Sequence, residues 1–301
     1  MRALLIMGPT ASGKSALALA LAARVGGEIV NADSMQVYRD LRVLTARPSV
    51  EEERQAPHHL YGHVDASERY SVGKWLKDAR GAIGDIRARG KTPIVVGGTG
   101  LYFKALTEGL SDVPSFDPYV RAHLAEELKQ SGPEALHAKL AARDPEMAVQ
   151  IYPKDAVRTI RALEVAEAGM LMSEARREKS GAIADWVGVA LTPERKALYA
   201  TIEARFEAML TAGALEEARA LTARGLDPLM PAMKAHGMPW LAAYVRGEMS
   251  LEEAAELAKR DTRRYAKRQF TWMAHQTPGW LRIAEPGWEA RSNSALALWR
   301  G

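Results

Sequence analysis

The stretch Gly8-Pro9-Thr10-Ala11-Ser12-Gly13-Lys14-Ser15, read GPTASGKS, decides the fold of this 301-residue chain. It matches the phosphate-loop pattern G-x-x-x-x-G-K-[ST], which is informative only between a strand and a helix. The apolar run Ala3–Met7 predicts that strand, and the Ala- and Leu-rich Ser15–Val25 predicts a helix that ends at Gly26. The loop therefore predicts a site for a di- or triphosphate. The alternative is a glycine-rich turn that caps a core helix.

Each part of this loop has a chemical role toward a polyphosphate. The glycines let several backbone N–H groups converge on one anion, and the following helix adds the positive end of its dipole. Lys14 supplies a point charge to the terminal phosphate, and Ser15 is the predicted ligand of a Mg²⁺ ion. The loop by itself does not distinguish a kinase or an ATPase from another enzyme that binds a diphosphate.

Short apolar runs and helical patterns alternate through the first hundred residues. Strands are predicted over 28–32 and 92–96, with a helix over 70–89 between them. This order is typical of a parallel α/β sheet, so we expect a P-loop NTPase-like core. The run Trp186–Leu191 predicts a further strand that rejoins the sheet, and the segment after Pro193 is mostly helical.

The segment between the predicted strands over 92–96 and 186–191 does not alternate strands with helices. Its helical patterns are interrupted by Gly132-Pro133, Asp144-Pro145 and Pro153, and the prolines of Ser111–Pro118 predict a boundary before it. We therefore expect a helical insertion over 115–182. It would interrupt an α/β core made of residues 1–114 and 183–301, whose C-terminal part is helical.

Composition excludes several classes of protein. Hydrophobic residues make up 47% and charged residues 26% of the chain, which excludes a disordered chain and a coiled-coil rod. The chain has no cysteine, which excludes disulfides, cysteine-ligated zinc and a cysteine nucleophile. The net charge is only +4, and no apolar run is long enough to span a membrane, so we expect a cytoplasmic protein.

Asp33 directly follows a predicted strand, at the sheet edge where α/β proteins hold their ligands. The strand over 92–96 ends instead in Gly97-Gly98-Thr99-Gly100, without an acid. Asp33 is therefore a candidate metal ligand or a base, and the alternative is a helix N-cap. The adjacent His58 and His59 are predicted to have a structural or hydrogen-bonding role, because neighbouring residues do not converge on one metal.

Six motifs occur in an order and at distances that resemble the bacterial type of the tRNA dimethylallyltransferase (tRNA isopentenyltransferase) family. The resemblance extends from Leu4 to about Trp272. The second and the last of the motifs together make it far more specific than the phosphate loop alone. The motifs are GPTASGKS at 8–15, DSMQVY at 33–38, HHL at 58–60, GGTGLY at 97–102, PKDAVRTIRALEV at 153–165 and TRRYAKRQFTW at 262–272.

The resemblance implies transfer of the dimethylallyl group of dimethylallyl diphosphate to N6 of the adenosine at tRNA position 37, beside the anticodon. Lys14, the loop amides and Mg²⁺ on Ser15 would stabilise the leaving diphosphate. The exocyclic amine is a poor nucleophile, and the resemblance assigns the base that takes its proton to Asp33. It places Thr99 beside the diphosphate or the adenine. The pocket would be lined by Ser34, Met35 and Gln36, the last suited to read the adenine edge through its amide.

The resemblance also places tRNA against the insertion and a late basic helix. Arg158 and Arg161 are three residues apart and so share one helix face. Lys259–Arg268 contains six basic residues and one acid, which predicts a cationic strip along a phosphate backbone. The alternative for each cation is a solvated surface charge. The predicted contacts are Arg121, Val157, Arg158, Thr159, Ile160, Arg161, Arg263, Arg264, Lys267 and Arg268.

Two other functions stay open from the residues alone. One is a small-molecule or nucleoside kinase that uses ATP on the same loop, and the other is a non-catalytic RNA-binding ATPase. DSMQ and TRRYAKRQFTW have no role in a kinase. The ATPase needs a water-positioning residue and an acidic strand end, and the sequence shows neither beyond Asp33. The resemblance implies a monomer. The sequence departs from the pattern of the family at Met273-Ala274-His275, where the resemblance implies an arginine.

Overall fold

The computed structural model describes residues 1–111, 113, 118–285 and 287–300. The chain divides into a first unit, residues 1–107 with the chain from 183 onward, and a second unit, residues 108–182. The predicted boundary at 114/115 lies outside the described residues. Over the described ranges, no helix is long and apolar enough to cross a membrane.

Strands and helices alternate in the first unit as the sequence predicts. In the two units together, the strands are β1 (Ala3–Met7), β2 (Gly27–Asn31), β3 (His58–His59), β4 (Thr92–Gly97), β5 (Leu110–Ser111), β6 (Lys179–Ser180), β7 (Trp186–Leu191) and β8 (Leu281–Ile283). The helices are α1 (Lys14–Val25), α2 (Val50–Gln55), α3 (Val72–Ala88), α4 (Gly100–Glu108), α5 (Pro118–Arg143), α6 (Pro145–Gln150), α7 (Ala156–Glu167), α8 (Met172–Ala175), α9 (Arg195–Thr211), α10 (Ala214–Ala223), α11 (Met238–Val245), α12 (Leu251–Gln276) and α13 (Trp288–Arg300).

Six strands of the first unit form one parallel sheet in the order β3-β2-β4-β1-β7-β8. All five residues of β1 are fully buried, as expected for a strand covered on both faces. β7 pairs with β1, so the predicted return of Trp186–Leu191 to the sheet is confirmed. The P-loop NTPase-like fold class is confirmed as well. The short sixth strand β8 has no counterpart in the sequence prediction.

The sheet positions the phosphate loop and Asp33 at the same edge. β1 and β2 both flank β4 and run parallel to it, so their carboxyl ends point the same way. The loop leaves β1, Asp33 follows β2, and Thr99 follows β4. These three chain segments are the ones that the sequence singles out for chemistry.

The second unit is helical, with a small two-stranded sheet of its own. Leu124, Leu136, Leu140 and Leu163 are buried in its core, which joins α5 to α7. α5 contains a break at Gly132, whose φ of 79° is not helical, directly before Pro133. β5 and β6 pair antiparallel beside the two ends of the unit.

Candidate active site

The phosphate loop has the backbone geometry of an anion cradle. Gly13 adopts φ 83° at the start of α1, where a residue with a Cβ would be strained. A Cβ on Gly8 would lie 2.6 Å from Ser12 Oγ. The Ser12 hydroxyl is buried and has no hydrogen-bond partner in the described part of the chain. A buried free hydroxyl inside a glycine loop fits a phosphate, which supplies acceptor oxygens.

Lys14 and Arg205 bring two half-buried cations to this loop. Burial lowers the pKa of Lys14 to about 8, while the charge of Asp33 raises it and that of Arg205 lowers it further. The Arg205 guanidinium donates to Thr10 Oγ1, and burial lowers the pKa of Arg205 against the opposing effect of Asp33. A bound diphosphate would favour the charged form of both side chains and so oppose the effect of burial. Arg205 lies in α9, outside every sequence motif.

Asp33 and Thr99 are brought together through Ser34. The Ser34 N–H donates to Thr99 Oγ1 at 2.9 Å, and the Thr99 hydroxyl lies 3.3 Å from Ser34 Oγ. Asp33 Oδ1 accepts from the Met35 N–H at 2.9 Å. The chain forms turns after Asp33 rather than a helix, so the N-cap alternative is wrong. Asp33 is thus held by its own turn, and the next residue, Ser34, bonds to Thr99.

The charge of Asp33 reaches the groups around one cavity. It raises the pKa of Tyr265, together with the larger effect of burial, and it opposes the burial that lowers the pKa of His236. The cavity occupies about 600 Å³, including the part open to solvent. Its wall combines polar and charged side chains with a group of apolar ones that includes Leu44, Ile202 and Phe206. It is lined by Thr10, Asp33, Met35, Leu44, Thr45, Ile202, Arg205, Phe206, Met209, His236, Thr262 and Tyr265.

Gln36 requires a correction. Its side chain is buried, and its Nε2 donates to the carbonyl oxygens of Thr45 and Ala46, both at 2.9 Å. Both amide N–H donors therefore hold the loop at 41–46. The expected reading of an adenine edge through these donors does not fit this geometry, whereas the neighbouring Met35 does line the cavity.

Gln269 of α12 joins the phosphate loop to the turn after β4. Its Oε1 accepts from the Thr10 N–H at 2.9 Å, and its Nε2 donates to the Gly98 carbonyl at 2.9 Å. A Cβ on Gly98 would lie 2.2 Å from Gln269 Nε2, and one on Gly100 would lie 2.3 Å from the Trp272 ring. These glycines are therefore required by the close approach of α12.

The basic strip of α12 divides into paired and unpaired cations. Lys259 is 12% exposed and lies 2.5 Å from Glu207 and 2.8 Å from Glu256. Arg263 pairs with Glu203 at 2.6 Å. The other predicted contacts on this helix, all exposed, are Arg264, which pairs with Asp261 of the same helix, and Lys267 and Arg268, which have no ion pair within the described ranges.

In the helical unit one buried carboxylate gathers two of the predicted RNA-binding arginines. Glu164 is 1% exposed and accepts from Arg121 Nη2 at 3.0 Å and from Arg161 Nη1 at 3.2 Å. Arg158 lies 3.5 Å from Asp155, the N-cap of α7.

The remaining predicted contacts of α7 differ in exposure. Val157 is 80% exposed, while Ile160 is half-buried and packs into the core of the unit. Thr159 is fully buried, so its side chain is not accessible for the predicted contact with tRNA.

Ser15 fits the magnesium role only as a partial ligand. Its half-buried hydroxyl has no hydrogen-bond partner among the described residues, and those residues contain no group of three His, Cys, Asp or Glu side chains that could hold a metal ion. Mg²⁺ usually takes most of its ligands from water and substrate phosphates, so one hydroxyl beside a phosphate cradle is compatible with it. His58 and His59 hydrogen-bond to Ala56 O and Glu28 Oε2, as predicted.

Comparison with known proteins places this geometry in context. The chain matches a family model described as IPP transferase over residues 36–276 and one described as isopentenyl transferase over residues 1–61. The tRNA dimethylallyltransferase of Nitrobacter hamburgensis is 57% identical over 267 residues, which cover 87% of this chain and 84% of that protein. That of Phenylobacterium zucineum is 56% identical over 262 residues, with 87% and 85% covered.

Solved structures agree with these relatives. The tRNA isopentenylpyrophosphate transferase of Bacillus halodurans has a TM-score of 0.71 and 35% identity, covering 99% of this chain and 97% of that one. A eukaryotic dimethylallyltransferase, solved acting on tRNA, has a TM-score of 0.78 and 32% identity. The match covers 90% of this chain and 69% of the eukaryotic one.

Proposed function

This chain belongs to the IPP transferase family, and from that premise we propose that it transfers a dimethylallyl group from dimethylallyl diphosphate to N6 of adenosine 37 in tRNA. One observation carries the proposal. A phosphate loop with two half-buried cations, Lys14 and Arg205, borders a cavity that is lined by Asp33 and by an apolar group including Leu44, Ile202 and Phe206.

The two ends of the cavity suit the two parts of the donor. The diphosphate would lie in the loop, where Lys14, Arg205 and the backbone N–H groups offset its charge. Mg²⁺ on Ser15, when bound, would supply further charge stabilisation to the leaving group. The apolar dimethylallyl group would contact Leu44, Ile202 and Phe206, which line the same cavity.

Asp33 would act on the acceptor. The N6 amine attacks the allylic carbon, a C–N bond forms as the C–O bond breaks, and the diphosphate leaves with the bonding electrons. The proton lost from N6 passes to the Asp33 carboxylate, whose Oδ1 is oriented by the Met35 N–H. Thr99, held against Ser34, would fix either the adenine or the diphosphate.

Transfer can be measured with labelled dimethylallyl diphosphate, Mg²⁺ and unmodified tRNA. We expect label in the tRNA, and ATP turnover without transfer would instead support the kinase alternative, which the relatives do not favour. Asp33→Asn should lower kcat by about 10²–10⁴-fold with little change in the Kd of inorganic diphosphate. Asp227→Asn, at an exposed ion pair, is the control. An equal loss of diphosphate affinity in Asp33→Asn would make Asp33 a metal ligand.

We further propose that the anticodon loop is the part of tRNA bound, and that the protein acts as a cytoplasmic monomer. The exposed cations of α12 and of the helical unit support contact with a phosphate backbone. A minimal anticodon stem-loop should replace whole tRNA as the acceptor. Light scattering of the free protein should give the mass of one chain.

A further inference from the structure

The last helix of the chain packs behind the phosphate loop. α13 begins at Trp288, beyond residue 276 where the IPP transferase family model ends. Ala295 and Leu296 are buried in the same apolar cluster as α1 and the sheet. Asn293 accepts from Arg24 of α1 at 3.0 Å, which adds a polar contact between the two helices.

Arg291 is the residue of α13 that touches the loop itself. Its Nη1 donates to the Ser12 carbonyl oxygen at 2.8 Å, and its Nε donates to the Glu285 carbonyl. A Cβ on Gly13 would lie 3.1 Å from the same Nη1. The guanidinium therefore lies against the peptide unit that joins Ser12 to Gly13, and it is itself anchored by a second bond.

This contact determines where the Gly13 N–H points. A peptide unit is planar and trans, so its C=O and N–H bonds point in opposite directions. A cation bonded to the Ser12 oxygen holds that plane and also polarises the peptide, which makes the Gly13 N–H a stronger donor. That N–H has no hydrogen-bond partner in the described ranges and belongs to the phosphate-loop pattern.

We propose that Arg291 is a positioning residue for the donor diphosphate: it orients and polarises the Gly13 amide and adds positive charge behind the loop. The inference rests on the proposed function, since it requires a diphosphate in this loop. It extends the site to a helix outside the matched family segment. Arg291 does not need to touch the substrate for this role.

The experiment compares Arg291→Ala, Arg291→Gln and Arg291→Lys with Asn293→Ala, which breaks the Arg24 contact on the same helix. The readouts are kcat, the KM for dimethylallyl diphosphate, the KM for tRNA, the Kd of inorganic diphosphate and the Tm. We expect Arg291→Ala to raise the diphosphate Kd and the donor KM about tenfold, the loss typical of one charge-assisted hydrogen bond. The KM for tRNA and the values of Asn293→Ala should stay at wild type.

Arg291→Lys should recover most of the affinity, because it restores a charged donor, and Arg291→Gln should recover less. Equal behaviour of Gln and Lys would overturn the role of charge. An unchanged donor KM in a folded Arg291→Ala, or an equal rise in both KM values with a lowered Tm, would overturn the inference. Were the Ala variant unfolded, the Lys and Gln variants would decide. A wild-type protein that transfers nothing would instead refute the proposed function.

Discussion

The phosphate loop and the helical unit hold their cations in different ways. At the loop, Lys14 is half-buried, and Gln269 and Arg291 hold the neighbouring backbone through hydrogen bonds. In the helical unit, Arg121 and Arg161 keep 59% and 41% of their side chains exposed and share the carboxylate of Glu164. The loop therefore holds its hydrogen-bond donors in fixed positions, whereas the helical unit brings two partly exposed cationic side chains together at its surface.

The difference follows from what each region would bind. A departing diphosphate needs donors already in place, because reorganisation during the reaction raises its barrier. A tRNA backbone needs positive charge at an accessible surface, and exposed side chains adapt to it. Variants at the loop should therefore change donor binding and kcat, and variants at exposed cations should change tRNA affinity and its dependence on salt.

Among the variants that test this difference between the loop and the helical unit, the largest effect is expected from Gln269→Leu, which keeps the volume but removes both hydrogen bonds. The buried Gly98 carbonyl and the half-buried Thr10 N–H would be left without these partners, at a cost of up to about 1–3 kcal/mol each. We expect kcat/KM for the donor to fall about 100-fold, measured by transfer of label. The control is Thr271→Ala, an exposed residue whose hydroxyl bonds only within α12. A folded Gln269→Leu protein whose kcat/KM stays within threefold of wild type would show that donor binding does not depend on these two hydrogen bonds.

The pH dependence of donor binding is expected to be the next largest effect. The pKa of Lys14 is lowered to about 8, so the free protein loses this charge above pH 8. The KM for dimethylallyl diphosphate should rise by up to about tenfold per pH unit between pH 8 and 10. Lys14→Arg should abolish this rise, since a guanidinium stays charged. The same steepness in both proteins would assign the titration to another group.

Lys14 also makes the free energy of unfolding depend on pH. Folding favours its neutral form, so the unfolded chain binds more protons between pH 8 and 10.5. The contribution of Lys14 to the free energy of unfolding therefore increases as the pH rises through this window.

Arg121→Ala should have a smaller effect of a different kind. It removes an exposed cation and leaves Glu164 with fewer donors, so we expect about a fivefold rise in the KM for tRNA and a lowered Tm. The KM for dimethylallyl diphosphate should not change. Arg143→Ala, at the exposed pair with Glu167, is the matched control and should leave the KM for tRNA unchanged. A changed donor KM in Arg121→Ala would contradict the separation of the two roles.

The smallest effect is expected from Lys267→Gln, and it should be visible mainly as salt dependence. The logarithm of the association constant for tRNA falls linearly with the logarithm of the salt concentration, and each phosphate contact adds about 0.9 to the steepness of this fall. This variant should therefore make the slope less steep by about that amount. Lys259→Gln should leave the slope unchanged, because Glu207 and Glu256 already pair with that cation. Equal slopes for the two variants would mean that ion pairing does not decide which cations meet RNA.

Local sequence was sufficient for most of the fold. The phosphate loop follows from Gly13, whose φ is positive, from Gly8, where a Cβ would meet Ser12, and from the apolar strand before them. β7 was predicted from its apolar run. The sixth strand, β8, was missed because Leu281 and Arg282 are exposed and only three residues pair. Pairing with β7, about ninety residues earlier in the chain, stabilises it, and no local pattern reports such a contact.

The site was predictable only where it lay in motifs. Asp33 and Thr99 were singled out, but Arg205, His236 and Arg291 are isolated polar residues in segments without a pattern. Gln269 had a usable signal. The buried face of α12 recurs at Ala258, Thr262, Ala266, Gln269 and Met273, so an uncharged amide on an inward face marks a buried polar contact.

The two faces of α12 have a consequence for how this helix can change over time. Each residue of an α-helix advances it by about 100°. Insertion of a single residue between Arg264 and Gln269 would therefore rotate the Gln269 amide away from Thr10, although every original residue of the helix would still be present. Substitutions on the outer face change only charge. We therefore expect this part of the helix to accept changes of residue far more readily than changes of length.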